Sequence, residues 1–319
     1  MQPLDRNKKI YVAGHRGLVG SALVRKLEKE GFTNIITKTH QELDLTRQAD
    51  VETFFEKEKP DYVILAAAKV GGIHANDTYP ADFIMKNLQI ECNVIDAAYK
   101  NQVKKLLFLG SSCIYPRECP QPVKEEYLLS DYLEKTNEAY ALAKIAGLKM
   151  CSYYNKQYGT NFISVMPCNL YGINDNFSLE NSHVLPALMR KFHEAKKRGD
   201  ATVTVWGSGK PLREFLNVDD LADACLFLMD TYQGNEFFNV GYGEEVTIRE
   251  LADMVKKTVG FEGEIIMDAS KPDGTMRKLT DISRIKALGW EPQIKLEDGL
   301  KETYQWFCQK YESGDYAVR

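Results

Sequence analysis

An apolar run from Lys8 to Ala13 flows without a break into Gly14-His-Arg-Gly-Leu-Val-Gly20, and an amphipathic segment continues to Glu30 before Gly31 interrupts it. A strand, a turn with a glycine at every third position and a helix leave few architectures open. The glycines let the backbone come close to a ligand, and the helix N-terminus aims amides and a partial positive charge at it. A pyrophosphate suits that geometry, so Gly14, His15, Arg16, Gly17, Leu18, Val19 and Gly20 are candidate dinucleotide contacts.

The next segments keep the same rhythm. Asn34 to Thr37 reads as a strand, Arg47 to Lys59 as a helix, and Asp61 to Ala68 as a buried strand running into Lys69-Val-Gly-Gly72. A long helix from Ala81 to Lys100 and a strand from Lys104 to Gly110 follow. Such alternation predicts an α/β fold with a doubly wound, Rossmann-type parallel sheet. The second strand ends where an adenosine ribose would lie, and NAD-preferring sites present a carboxylate there, about 20 residues after the glycines. This chain offers Lys38 and His40, with Arg16 in the turn. Cations suit a 2′-phosphate, so NADPH is expected rather than NAD, with Glu42 and Asp44 slightly further on arguing the other way.

Past the fourth strand stand Ser111, Ser112 and Cys113, at the edge of the sheet where open α/β folds bind ligands. The helix predicted over Asn137 to Tyr158 places Tyr140 and Lys144 four residues apart, on one face. A phenol has a pKa near ~10, and a neighbouring ammonium favours its ionised form, which gives a proton donor usable near neutrality.

Asn161 to Met166 is a further strand, ending at Pro167-Cys-Asn-Leu-Tyr-Gly172, after which the rhythm loosens through the polar stretch Ile173 to Asn181. A helix from Ser182 to Lys197, short strands at Thr202 to Trp206, Phe215 to Val218 and Glu236 to Val240, and helices over Asp219 to Tyr232 and Thr247 to Val259 come next. A turn at Lys271 to Gly274 and two helices, 282–288 and 296–311, complete the pattern. A dinucleotide domain over 1–172, with parts of 205–245 returning to it, and a smaller α+β substrate domain over 173–319 are the expected division. Lys191, Arg213, Lys271, Arg277 and Lys278 could gather around a diphosphate.

Composition narrows the classes. In 319 residues the net charge is −4, which makes no case for nucleic acid or an anionic membrane. No stretch reaches the ~18 apolar residues of a membrane span. The seven cysteines are scattered and never form C-x-x-C, so neither a disulfide framework nor a metal site is expected, and a reducing cytoplasm is the expected location.

Taken together, Gly14-x-x-Gly17-x-x-Gly20, Ser111 and Tyr140-x-x-x-Lys144 resemble the extended short-chain dehydrogenase/reductase superfamily. Longer strings are similar to the GDP-L-fucose synthase family within it: Gly14 to Gly20, Ala66 to Gly72, Gly110 to Pro116, Tyr140 to Lys144, Ser182 to Pro186, Val205 to Gly209, Arg213 to Leu216 and Asp268 to Gly274. The resemblance implies NADPH-dependent 3,5-epimerisation and 4-reduction of a GDP-4-keto-6-deoxy sugar, usually by a homodimer. It implies that Tyr140 protonates the C4 oxygen, Lys144 assists it, Ser111 hydrogen-bonds that oxygen, Cys113 is the epimerisation base and His183 the acid. It further implies cofactor contacts from His40, Leu109, Gly110, Lys144, Pro167, Cys168, Asn169, Leu170 and His183, and substrate contacts from Lys191, Trp206, Arg213 and Asp273. His40 and Lys191 stand where arginines are common in the family, and Cys168 where threonine is frequent. Rival expectations are a 4,6-dehydratase, a 4-epimerase or a dinucleotide-sensing regulator. The first would carry an acidic residue close after the catalytic hydroxyl, and none follows Ser111; the second has no need of Cys113 and His183, and the third typically loses Tyr140 or Lys144.

Overall fold

The computed structural model describes residues 3–179, 182–271 and 273–314. Its strands are β1 (Ile10–Ala13), β2 (Ile35–Ile36), β3 (Tyr62–Leu65), β4 (Lys105–Leu109), β5 (Phe162–Pro167), β6 (Asn169–Tyr171), β7 (Thr202–Trp206), β8 (Leu212–Arg213), β9 (Phe215–Asn217), β10 (Phe238–Val240), β11 (Val246–Thr247), β12 (Glu264–Asp268) and β13 (Arg277–Lys278). The helices are α1 (Leu18–Lys29), α2 (Gln48–Glu58), α3 (Ile73–Thr78), α4 (Pro80–Lys100), α5 (Glu138–Tyr158), α6 (Val184–Arg198), α7 (Val218–Thr231), α8 (Ile248–Val259), α9 (Ser283–Ala287) and α10 (Leu296–Ser313).

Six strands form one parallel sheet in the order β10-β5-β4-β3-β1-β2. Strands β1, β3, β4 and β5 are buried along their whole length, as expected when helices cover both faces. On one face, Ile10, Val12, Ile64 and Leu107 join a core with α1 and α7. On the other, Tyr11, Val63, Leu106 and Phe108 pack with α2, α4 and α5. Lys105 interrupts the apolar run of β4. Its ammonium is buried and donates to the carbonyls of Leu228 at 3.0 Å, Met229 at 2.8 Å and Tyr232, where α7 ends.

A third core lies among α6, α8 and α10, with Phe177, Phe192, Val203 and Phe307. Local chemistry sets these boundaries. Thr247 and Glu250 form a capping box at the start of α8, and glycines in the left-handed region end α5, α6, α8 and α10. Strand β7 pairs with β12, β6 with β9, and β8 lies between β11 and β13. The second half is thus tied to the first through small sheets and two buried polar side chains. Glu214 accepts from the Gly243 amide at 2.7 Å and from the Thr280 amide and hydroxyl at 3.0 and 2.6 Å. Asn239 donates to the carbonyls of Val123 at 2.9 Å and Asp281 at 3.2 Å.

The expected β/α rhythm is present. Most of its strands are shorter than the apolar runs, because only the paired rungs of each run form sheet. Helix α3 and strands β6, β8, β11, β12 and β13 go beyond the expected pattern. Pro272, in the expected turn at 271–274, lies outside the described residues, as do Glu180 and Asn181 at the end of the polar stretch. Among the described residues, no helix is long and apolar enough to cross a membrane.

Candidate active site

The turn between β1 and α1 is built around glycines, two of which leave no room for a side chain. Gly14 has φ +86°, and a Cβ on it would lie 2.8 Å from the Ala67 backbone; one on Gly20 would lie 2.0 Å from the Gly14 carbonyl oxygen. Gly17 is the N-cap of α1 with no side-chain cap, and no carboxylate occupies the first turn. His15, Arg16, Leu18 and Val19 complete this cradle, whose helix-end amides and small residues fit a dinucleotide pyrophosphate.

At the ribose end, the two carboxylates that argued against NADPH are both occupied. Glu42 accepts from the Thr39 amide at 2.8 Å and hydroxyl at 2.7 Å, and these bonds, with Lys38 and Arg16 nearby, hold it below the usual carboxylate range. Asp44 accepts from the Thr46 hydroxyl at 2.7 Å and amide at 3.0 Å. Lys38 and Arg16 therefore flank one spot. His40 does not join them: its side chain is 79% exposed and sits 3.7 Å from Asp44.

At the carboxyl end of β4, the backbone turns sharply. The Ser111 hydroxyl accepts from the Cys113 amide at 3.2 Å and hydrogen-bonds the Tyr140 side chain. Helix α5 supplies Tyr140 and Lys144 on one face. Lys144 is buried, donates to the Leu109 carbonyl at 2.9 Å, lies 3.0 Å from Glu91 of α4, and has its Nζ 5.9 Å from the Tyr140 ring centre. The expectation that Lys144 depresses the phenol is corrected here. Burial dominates and pushes Tyr140 well above its ordinary value, Cys113 and Glu91 push the same way, and only the Ser111 bond pulls it down. The lysine's charge is directed at Glu91.

Lys278, on β13, brings the remaining pair to this place. Its Nζ is 3.7 Å from Cys113 Sγ, and its charge acts on His183, the N-cap of α6. His183 has an exposed ring among crowded neighbours, as a side chain lining a cleft does; those neighbours first, and Lys278 second, hold its pKa below the usual histidine value. Tyr140, Ser111, Cys113 and His183 are thus linked through direct contacts or shared electrostatics, at the sheet edge beside the glycine cradle. Leu109 and Gly110 end β4, and Pro167, Cys168, Asn169 and Leu170 follow β5 at the same edge. Cys168 is buried, with its thiol pushed well up by burial.

Beyond them lies a cationic platform. Trp206 is 66% exposed, with Lys191 Nζ 5.2 Å and Lys271 Nζ 5.5 Å from its ring centre. Burial lowers the pKa of both Lys191 and Arg213, whose guanidinium donates to the Leu212 carbonyl at 2.7 Å. Asp273 is largely committed to structure: it accepts from the Ser208 amide at 2.6 Å and hydroxyl at 2.8 Å and so clamps the turn after β7. Arg277, expected among the diphosphate cations, is instead paired with Glu245 at 2.6 Å. Glu91 was missed, although a carboxylate on the same helical stripe as Asn87, Val94, Ile95 and Ala98 is a readable signal.

Known proteins extend this picture. A model of the NAD dependent epimerase/dehydratase family matches residues 10–241. GDP-L-fucose synthase 1 of Arabidopsis thaliana is 67% identical over 305 residues, 96% of this chain and 94% of that protein. GDP-L-fucose synthase of Escherichia coli K12 is 53% identical over 314 residues, covering 96% and 98%. A GDP-L-fucose synthetase from Naegleria fowleri, solved with NADP bound, superposes with a TM-score of 0.92 at 34% identity, covering 98% of this chain and 97% of that one. The chain therefore belongs to the NAD dependent epimerase/dehydratase family, in the branch formed by the GDP-L-fucose synthases.

Proposed function

We propose that this protein converts GDP-4-keto-6-deoxy-D-mannose to GDP-L-fucose, by epimerising C3 and C5 and reducing C4 with hydride from NADPH. The observation that carries this reading is the meeting of a phenol, a thiol and an imidazole at one sheet edge, between a glycine cradle and a cationic platform. A ketone at C4 acidifies the protons on C3 and C5. Cys113, its sulfur 3.7 Å from the Lys278 ammonium, removes such a proton, and His183, as imidazolium, returns one to the opposite face. Ser111 hydrogen-bonds the C4 oxygen while charge builds on it. Tyr140 then gives its proton to that oxygen, and Lys144 offsets the phenolate left behind.

The nicotinamide dinucleotide supplies the hydride for C4. Gly14 to Gly20, Leu109, Gly110, Lys144, Pro167 to Leu170 and His183 are the residues placed to hold it. Arg16 and Lys38, with Glu42 and Asp44 turned to their own loops, favour a 2′-phosphate; His40 is assigned no part in that preference. Lys191, Trp206, Arg213 and Lys271 would receive the GDP moiety, with Asp273 shaping the turn beneath it. The domain division at about residue 172 is supported by the separate third core, with α7 and β10 serving the first domain.

The dehydratase alternative remains disfavoured, since Ser112, Cys113 and Ile114 follow Ser111. The test is direct: the protein is mixed with GDP-4-keto-6-deoxymannose and NADPH, absorbance loss is followed, and the product sugar is identified. GDP-L-fucose formed with one NADPH oxidised supports the reading. No oxidation, or a sugar of unchanged configuration at C3 and C5, overturns it. Comparison of kcat/KM for NADPH and NADH tests the ribose-end argument, with NADPH expected to be preferred.

A further inference from the structure

Lys144 is buried, and so is its partner. Helix α4 carries Glu91 with its side chain 1% exposed, 3.0 Å from Lys144 Nζ. Among the described residues neither carboxylate oxygen accepts a geometrically sound hydrogen bond, so the ammonium is its single close compensating group. A carboxylate in such a place is costly unless paired. Burial raises the pKa of Glu91, and Lys144 opposes that rise.

The chain also makes room for this pair. Gly147 lies on α5 one turn beyond Lys144, and a Cβ there would fall 2.8 Å from Glu91 Oε2 and 2.5 Å from the Phe108 ring. Glycine inside a helix is destabilising relative to alanine. Here it opens the gap through which Glu91 reaches across the α4–α5 interface. The other titratable groups that feel Glu91 are Tyr140 and Cys151 on α5 and Cys92 on its own helix, and its charge raises the pKa of each. None can neutralise it. From β4 the Phe108 ring faces Lys144 at 4.7 Å, and the Leu109 carbonyl takes one of its protons in a hydrogen bond.

We propose that Glu91 is a positioning residue for the reduction: its carboxylate is the counter-charge that keeps Lys144 an ammonium and aims it along the Leu109 carbonyl toward Tyr140. This rests on the assignment of Tyr140 and Lys144 to the reduction. Without the carboxylate, a buried ammonium faces only a carbonyl and two aromatic rings, and it sheds its proton more readily.

The experiment compares wild type with Glu91→Gln, which keeps the shape and removes the charge. The first readout is thermal unfolding without cofactor between pH 6 and pH 9. The unpaired ammonium destabilises the variant most at low pH, by roughly 5 °C or more at pH 6, and the deficit shrinks as pH rises. The second is the pH profile of kcat for NADPH oxidation, whose alkaline limb moves to lower pH by about one unit or more. Glu91→Asp and Glu91→Asn form a second pair that differ from each other chiefly in charge, and the aspartate is expected to restore part of the limb. A folded glutamine variant with a parallel unfolding profile and an unmoved limb overturns the proposal, as does equal loss of activity at every pH. If wild type itself fails to oxidise NADPH, the assigned reaction is wrong; the unfolding comparison still tests the charge pairing.

Discussion

His183 and Lys278 set the sharpest expectation for a single side chain. The imidazole is held below its ordinary value by its crowded setting and by Lys278, so it loses its proton earlier as pH rises. In the free enzyme, the kcat/KM profile for deuterium uptake at C3 and C5 should therefore fall on the acid side of an ordinary histidine limb. Lys278→Met removes one cause and should move that limb upward, while slowing uptake by about 10-fold or more because Cys113 loses its neighbouring charge. An unmoved limb separates His183 from Lys278. Tyr140→Phe should lower NADPH oxidation by about 100-fold or more and leave deuterium uptake in place; Cys113→Ala should do the reverse. The nearness of Tyr140 and Lys144 was readable because a motif fixes both on one element. It was not readable where the contact is made across the fold. Lys278 was expected only as one of several cations that could gather around a diphosphate, and nothing in the spacing of Cys113 and Lys278 announces that they touch.

Among the elements, the strands of the large sheet were legible because burial on both faces leaves an unbroken apolar run, as in Tyr62–Leu65. Two-residue strands such as β8, β11 and β13 were not, since they exist through their partners rather than through any period of their own. Lys105 lies between these cases. It falls within the run read as a strand, Lys104 to Gly110, yet its ammonium closes the C-terminal end of α7 by donating to the carbonyls of Leu228, Met229 and Tyr232. Lys105→Met keeps the stem and takes away every donor, so a loss of about 2–4 kcal/mol is expected, measured by urea unfolding with the m-value unchanged. A loss below about 0.5 kcal/mol would mean that those carbonyls find other donors.

For the whole molecule, the outer faces of α4 and α5 carry the strongest signal. Met85 and Cys92 lie seven residues apart on α4, and Leu142 and Tyr153 eleven apart on α5, so each pair shares a stripe; Met85, Leu142 and Tyr153 are 56%, 43% and 61% exposed. We propose that two copies pair through these stripes. Light scattering after size exclusion should give a dimer, and Leu142→Arg with Tyr153→Arg should give a monomer; a dimer that survives both changes rejects this face. The small sheet of β11, β8 and β13 bears on a different matter. Its register sets Lys278 opposite Arg213, so the cation beside Cys113 and the cation proposed for the diphosphate share one rung of neighbouring strands. That makes the sheet a ruler. On the proposed function, a sugar joined to GDP would be measured from its phosphates to the ring carbon to be deprotonated, whereas a sugar with one phosphate, or none, would come without the mark from which the distance is read.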